Sequence, residues 1–192
     1  MRIHNADHAA CGWRVAEIAP DFELLDAWDM PATGGADELP DLVAFFRRFD
    51  PAKDEGSGPS RALFALRDKL GAWFGWDDES NALPIPGCTE TSLRERLPHD
   101  LPAAPLESDN PFRPIFETPD EWAAELSNET VHAVLQLGWL RDGEHYRGRL
   151  GVYVKPRGFF GRVYMALIAP FRHYVVYPAL LRRVERAWAA RP

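Results

Sequence analysis

The spacing of apolar positions changes along this chain from helical, to alternating, and back to helical. Phe22, Leu24 and Leu25 stand among acidic residues between Ile18 and Trp28, which predicts a first strand. From Pro40 to Phe49 the apolar residues Leu42, Phe45, Phe46 and Phe49 recur at helical spacing, with Pro40 suited to a first turn. The breaker Glu55-Gly-Ser-Gly-Pro59 then leads into a second helical stripe of Leu63, Leu66, Leu70, Trp73 and Phe74. Together these two stretches predict a helical hairpin after the first strand. Asp77 to Asn110 is rich in Pro, Gly, Ser and charge and reads as connection, long enough to hold either a short helix at Thr91 to Arg96 or a further strand.

Beyond Asn110 the period becomes two. Phe112 to Thr118 and Glu121 to Leu126 read as short strands, and Glu129 to Leu140 as a longer one. Val131, Ala133, Leu135, Leu137 and Trp139 share one face of that longer strand, and His132, Val134, Gln136 and Gly138 share the other. Arg141-Asp-Gly-Glu144 supplies an Asp-Gly turn. The return strand from His145 to Lys155 puts Tyr146, Gly148, Leu150, Val152 and Val154 on one side. Only one face of an antiparallel sheet needs to be dry. The apolar face through Val131 and Trp139 is therefore expected inside, with His132, Gln136, Arg147 and Arg149 in solvent.

The last stretch, Phe159 to Leu181, is long enough to cross a bilayer, but Arg162 and Arg172 interrupt it. A central Arg costs about 2.5–3.5 kcal/mol on insertion, and Pro170 and Pro178 would leave carbonyls unpaired. At helical period Phe160, Tyr164, Leu167, Phe171, Val175, Pro178 and Leu181 form one stripe, with Arg162, Arg172 and His173 opposite. The expectation is a one-sided helix laid over the sheet, bent or broken near Ala166 to Pro170 and again near Tyr174 to Pro178, with membrane contact disfavoured and a peripheral membrane helix as the alternative.

Gly161-Arg-Val-Tyr-Met-Ala-Leu-Ile-Ala-Pro-Phe-Arg-His173, followed by Val175-Val176 and the basic pair Arg182-Arg183, resembles the C-terminal signature of a bacterial family, domain of unknown function 2867. Leu66-Arg-Asp-Lys-Leu70 with Phe74-Gly75, and the Asp142-Gly143 hairpin, resemble other parts of that family. The order of elements matches a helix-grip fold, in which a curved antiparallel sheet wraps a long terminal helix and leaves a cavity. The resemblance implies a START-like α+β domain of this kind. Some members are fused to nucleotide-binding reductase-like domains, and the family implies no particular reaction.

A cavity of that type takes a small apolar or amphipathic ligand. The candidate lining is Tyr164, Leu167 and Phe171 from the helix with Leu135, Trp139 and Val152 from the sheet; Arg162, Arg172 and His173 form a candidate anion site. An enzyme of the same fold (a cyclase, hydrolase or reductase accessory) and an interaction module at a membrane or protein surface are the alternatives. No catalytic set stands out. His132 with Glu125 or Glu129 is the nearest to a general base. No cofactor or metal is expected, since His4 and His8 at i,i+4 have no third ligand nearby.

Composition narrows the partners. With 192 residues a single domain spanning 1–192 is expected, its first fifteen or so residues flexible. The net charge of −7 disfavours a nucleic-acid surface. Cys11 and Cys88 are far apart without a CxxC spacing, and the N-terminus lacks the apolar run of a secretory signal. A reducing, cytoplasmic setting is expected, and a homodimer is compatible with the sequence.

Overall fold

A computed structural model describes residues 1–48, 90–107, 111–128 and 130–191. Its centre is one antiparallel sheet of five strands in the order β1-β5-β4-β3-β2. The strands are β1 (Glu23–Gly34), β2 (Arg113–Glu117), β3 (Glu121–Ser127), β4 (Val131–Asp142) and β5 (His145–Pro156). Two short helices, α1 (Asn5–Ala9) and α2 (Val15–Ile18), precede β1, and α3 (Leu39–Arg48) comes after it. A 3₁₀ turn at Leu93–Arg96 fulfils the short helix expected there. The chain closes with α4 (Gly158–Phe171), a π turn (Arg172–Val176) and α5 (Tyr177–Ala189), which run on as one long helix. The fold is thus α+β, as the alternating and helical periods indicate. The second helix of the expected hairpin, Leu63 to Phe74, lies outside the described residues.

The β4–β5 hairpin turns at Gly143, whose φ of 65° suits a residue without Cβ, and Asp142 pairs with His145 across it. Strand register then aligns Trp28, Leu150, Leu137 and Trp122 in one row across the sheet. That row faces the terminal helix and packs with Trp139, Leu42, Phe46, Tyr177 and Val184 into the main core. The face chosen as interior from the sequence is therefore interior.

The opposite face is not in solvent. His132 and Gln136 are fully buried there, and Arg149 is half-buried against Asp29 at 2.8 Å. A second core covers it, built from Trp13, Val15, Ile18 and Phe22 of the N-terminal segment with Leu93 and Leu101. Two glycines make the approach feasible. A Cβ on Gly138 would strike the Trp13 ring, and one on Gly151 would lie 2.6 Å from His8 Nε2. The first residues, expected to be flexible, are thus packed: the Ile3 N–H donates to the Ala27 carbonyl at 3.0 Å, and His8 is fully buried. Polar residues alternating along β4 look like a wet face in sequence, but here both are buried, His132 between Glu125 and Glu90 and Gln136 beneath the N-terminal cover.

The terminal helix is also rotated from the expected orientation. Tyr164 and Tyr177 are buried and Ile168 is partly so, whereas Leu167 is 75% exposed and Arg162 lies in solvent. The side chain of Phe160 lies outside the described residues. The reason is compositional. Between Gly158 and Phe171 the only charge is Arg162, so α4 is apolar on nearly all sides and periodicity alone cannot choose its buried face. The prolines do not break the helix. Between them the backbone widens into a π turn, with the Tyr177 N–H donating to the Arg172 carbonyl. One extra residue per turn absorbs the missing donor of Pro178 and resets the facing of α5.

Candidate functional site under the terminal helix

The buried group this rotation serves is Asp26. It lies on β1 at a register irregularity between Leu24 and Asp26, a bulge that re-aims the side chain onto the helix face. Asp26 is fully buried, and four side chains converge on it. Arg172 Nε donates to Oδ2 at 2.8 Å and the Tyr177 hydroxyl donates to the same oxygen at 3.0 Å. His173 Nε2 stands 2.5 Å from Oδ1, and Arg2 approaches that oxygen at 3.6 Å. A lone buried carboxylate would be prohibitively costly, and these partners compensate it.

The π turn delivers them. In an i to i+5 turn, Arg172 and Tyr177 come to lie over one another, whereas in an α-helix a five-residue step would separate them by more than a quarter turn. The Tyr177 ring stacks on His173 (centroids 6.1 Å apart) and leans on Trp28 at 4.8 Å. Burial, then the neighbouring Asp26 carboxylate, push the Tyr177 hydroxyl far above its ordinary range, so it stays a proton donor. His173 keeps 22% of its side chain exposed. Nε2 is held by the buried carboxylate, which leaves Nδ1 as the ring nitrogen not engaged with Asp26.

Beside this polar cluster the sheet offers an apolar floor. Register places Asp26, Val152, Leu135 and Ala124 in one row on the helix-facing side. Leu135 stands in the central strand and Val152 in the interior strand beside it, yet both are only half-buried. Both pack against the main core, and Val152 also packs against a smaller cluster of Val131, Val154 and Tyr164. A carboxylate-anchored polar end and a partly uncovered apolar strip therefore adjoin.

The other expected residues are scattered. Trp139 is core: it packs at 5.8 Å on Trp188 and donates Nε1–H to the Gly35 carbonyl at 2.8 Å. Tyr164 is buried against Val131 and Val154, and burial holds its hydroxyl well above the usual range. Phe171 is half-buried and Leu167 points outward, so Leu167 is no lining residue. Arg172 and His173 do meet an anion, but it is the chain's own Asp26, and Arg162 takes no part. A cleft of about 710 Å³ lies elsewhere, between α3 and the end of α5, lined by Glu38, Asp41, Phe45, Arg48, Trp188 and Arg191. Arg191 already pairs there with Glu38 and Asp41.

His132 is not a free base. Its Nε2 meets Glu125 at 2.9 Å, its Nδ1 meets Glu90 at 3.3 Å, and the ring is fully buried. Glu125 also accepts from the Leu93 N–H at 2.9 Å and from the Ser92 hydroxyl, while Arg157 and Lys155 bind Glu90. Burial raises the Glu125 carboxyl, but these donors outweigh it and hold the group below its ordinary range. This network fastens the segment before β2 to the sheet. Glu129 lies outside the described residues. His4 caps α1 by accepting from the Ala6 N–H while His8 is buried, and among the described residues no group of three or more His, Cys, Asp or Glu side chains is placed to hold a metal ion.

Sequence reasoning missed Asp26 and Tyr177. A signal was present: Asp26 is a lone acid inside the apolar run Leu24-Leu-Asp-Ala-Trp28. Comparison with family models matches residues 18–179 to a family described as protein of unknown function (DUF2867). The chain belongs to that family. The DUF2867 span runs from the end of α2 into α5, and so contains Asp26, Arg172, His173 and Tyr177 together with the Val152–Leu135 floor. Only Arg2 of the cluster falls outside it. Comparisons with curated proteins and with solved structures find no match.

Proposed function

We propose that this protein binds a small amphipathic molecule between its sheet and its terminal helix, in the manner of helix-grip, START-like domains. The apolar body would lie on Val152 and Leu135, and the polar end would face His173. The observation that carries this reading is the half-buried state of Val152 and Leu135 at the centre of the sheet, in the same row as the buried Asp26. Central-strand apolar side chains facing a helix are ordinarily covered completely, and an uncovered strip beside oriented polar groups is the make-up of a ligand site.

Leu135→Trp should fill the strip. Titration with 1-anilinonaphthalene-8-sulfonate, an amphipathic fluorescent anion, is expected to show saturable binding to the wild type and at least tenfold weaker binding to the variant. The thermal midpoint should remain within a few degrees. Equal binding by both folded proteins would sink the proposal, and native mass spectrometry of freshly purified protein would name any retained ligand.

A second reading is favoured by one feature, the partly exposed His173 ring held by the buried Asp26. That arrangement is how a general base is oriented. On this reading the domain is an enzyme whose substrate occupies the same strip. Once a retained ligand is known, His173→Gln should preserve its binding and abolish its turnover; unchanged turnover would remove the enzymatic reading.

A further inference from the structure

The rotation of the terminal helix leaves a second apolar stripe facing outward. Phe159 is 68% exposed, Val163 38%, Leu167 75% and Tyr174 81%, and all four lie on one side of α4 and the π turn. Ala166 and Pro170, also exposed, fill the gaps between them. The stripe extends about 22 Å at the helical rise per residue. Among the described residues only two other large hydrophobic side chains, Met1 and Leu106, are comparably exposed. Scattered exposure of this kind is ordinary, but a contiguous strip along one helix marks a surface that something covers. The inner side of the same helix is already engaged through Tyr164 and Ile168.

Charge selects the occupant. The chain as a whole carries −7, yet no Asp or Glu occurs between Glu144 and Glu185. Arg172 is committed to Asp26 and Arg157 to Glu90. Arg162 is exposed beside the stripe, and Arg182 and Arg186 are exposed further along the same helix. An apolar strip on a stretch that carries cations and no acidic residue, ended by the aromatic residues Phe159 and Tyr174, has the composition of a helix lying in a membrane interface. A second copy of the chain would set these cations against their own kind.

We infer that the outer face of α4 docks on an anionic lipid surface, lying in the interface with Phe159, Val163, Leu167 and Tyr174 among the acyl chains and Arg162 at the headgroups. The helix does not cross the bilayer: among the described residues no helix is long and apolar enough to do so. This surface is separate from the ligand strip on the helix's inner side, and either reading can fail without the other.

The test is co-sedimentation of the full chain with phosphatidylcholine vesicles, either neutral or carrying about 30% phosphatidylglycerol to supply a negative surface potential. The wild type should pellet with the anionic vesicles, less so with neutral ones, and less at raised salt. Leu167→Glu should cut the bound fraction at least fivefold and Arg162→Glu about twofold. Both side chains are exposed, so circular dichroism spectra and thermal midpoints should not change. Wild-type protein remaining in the supernatant with anionic vesicles overturns the inference, as does binding indifferent to Leu167→Glu. A dimer by light scattering that Leu167→Glu converts to monomer also overturns it, because a second copy would then be the occupant.

Discussion

Asp26 concentrates at one residue the conflict between burial and charge. Its carboxylate is fully buried, and Arg172, His173 and Tyr177 replace the lost hydration. Removing the charge therefore strands its partners. Asp26→Asn leaves the mostly buried Arg172 guanidinium without a counter-ion and should destabilise the protein by about 3–5 kcal/mol. Tyr177→Phe removes one hydrogen bond to a charged group and should cost about 1.5–3 kcal/mol. Urea unfolding would measure both, and an Asp26→Asn midpoint matching the wild type would contradict the role given to the carboxylate. The order of the two losses is itself diagnostic. Asp26→Asn keeps the shape of the side chain, so a purely packing role for the cluster would make it the milder change of the two.

At the scale of elements, the attachment of α2 to the sheet rests on another buried acid. Glu121 of β3 accepts from the Arg14 N–H at 2.6 Å and the Val15 N–H at 3.1 Å, the donors that a helix start leaves unpaired. Burial nevertheless pushes its carboxyl up from 4.5 to about 7, against the pull of those two N–H groups. Below pH 4.5 the group is protonated in both states, while between 4.5 and 7 the folded protein holds a proton that the unfolded chain has lost. Stability from this group is thus present at acid pH and declines as pH rises, by about 3 kcal/mol in all. His8 acts oppositely in an overlapping window: burial, then Arg149, lower it from 6.5 to about 4, so its contribution increases as pH rises through that interval. The two partly cancel in the wild type. Glu121→Gln separates them: it should be less stable than the wild type near pH 4.5, having lost an acceptor, and should gain on it steadily as the pH is raised through 7. Parallel pH–stability curves for the two proteins would refute the assignment.

For the molecule as a whole, charge and cover are both segregated. An acidic chain carries a terminal helix with no acid before Glu185, and its sheet is covered on one face by that helix with α3 and on the other by the N-terminal segment with the residues around Leu93. Much of this was legible beforehand. Alternation along 131–155 and the Asp-Gly turn specify β4 and β5, because a period of two can be satisfied only by a strand with one consistently buried face. The family signature at Gly161 to His173 is likewise a property of the sequence, and it placed the chain correctly. Two matters were not legible. α4 is apolar on nearly all sides, so which side it buries was decided by Asp26, a partner distant in sequence that only the folded chain brings beneath Arg172 and His173. The polar face of β4 became interior because Gly138 and Gly151 admit Trp13 and His8 against the backbone. Local pattern thus determines which elements form and which positions share a face, since backbone geometry sets those periods. What covers each face, and therefore which residues can meet a ligand or a membrane, depends on contacts between distant segments, and those exist only in the tertiary structure.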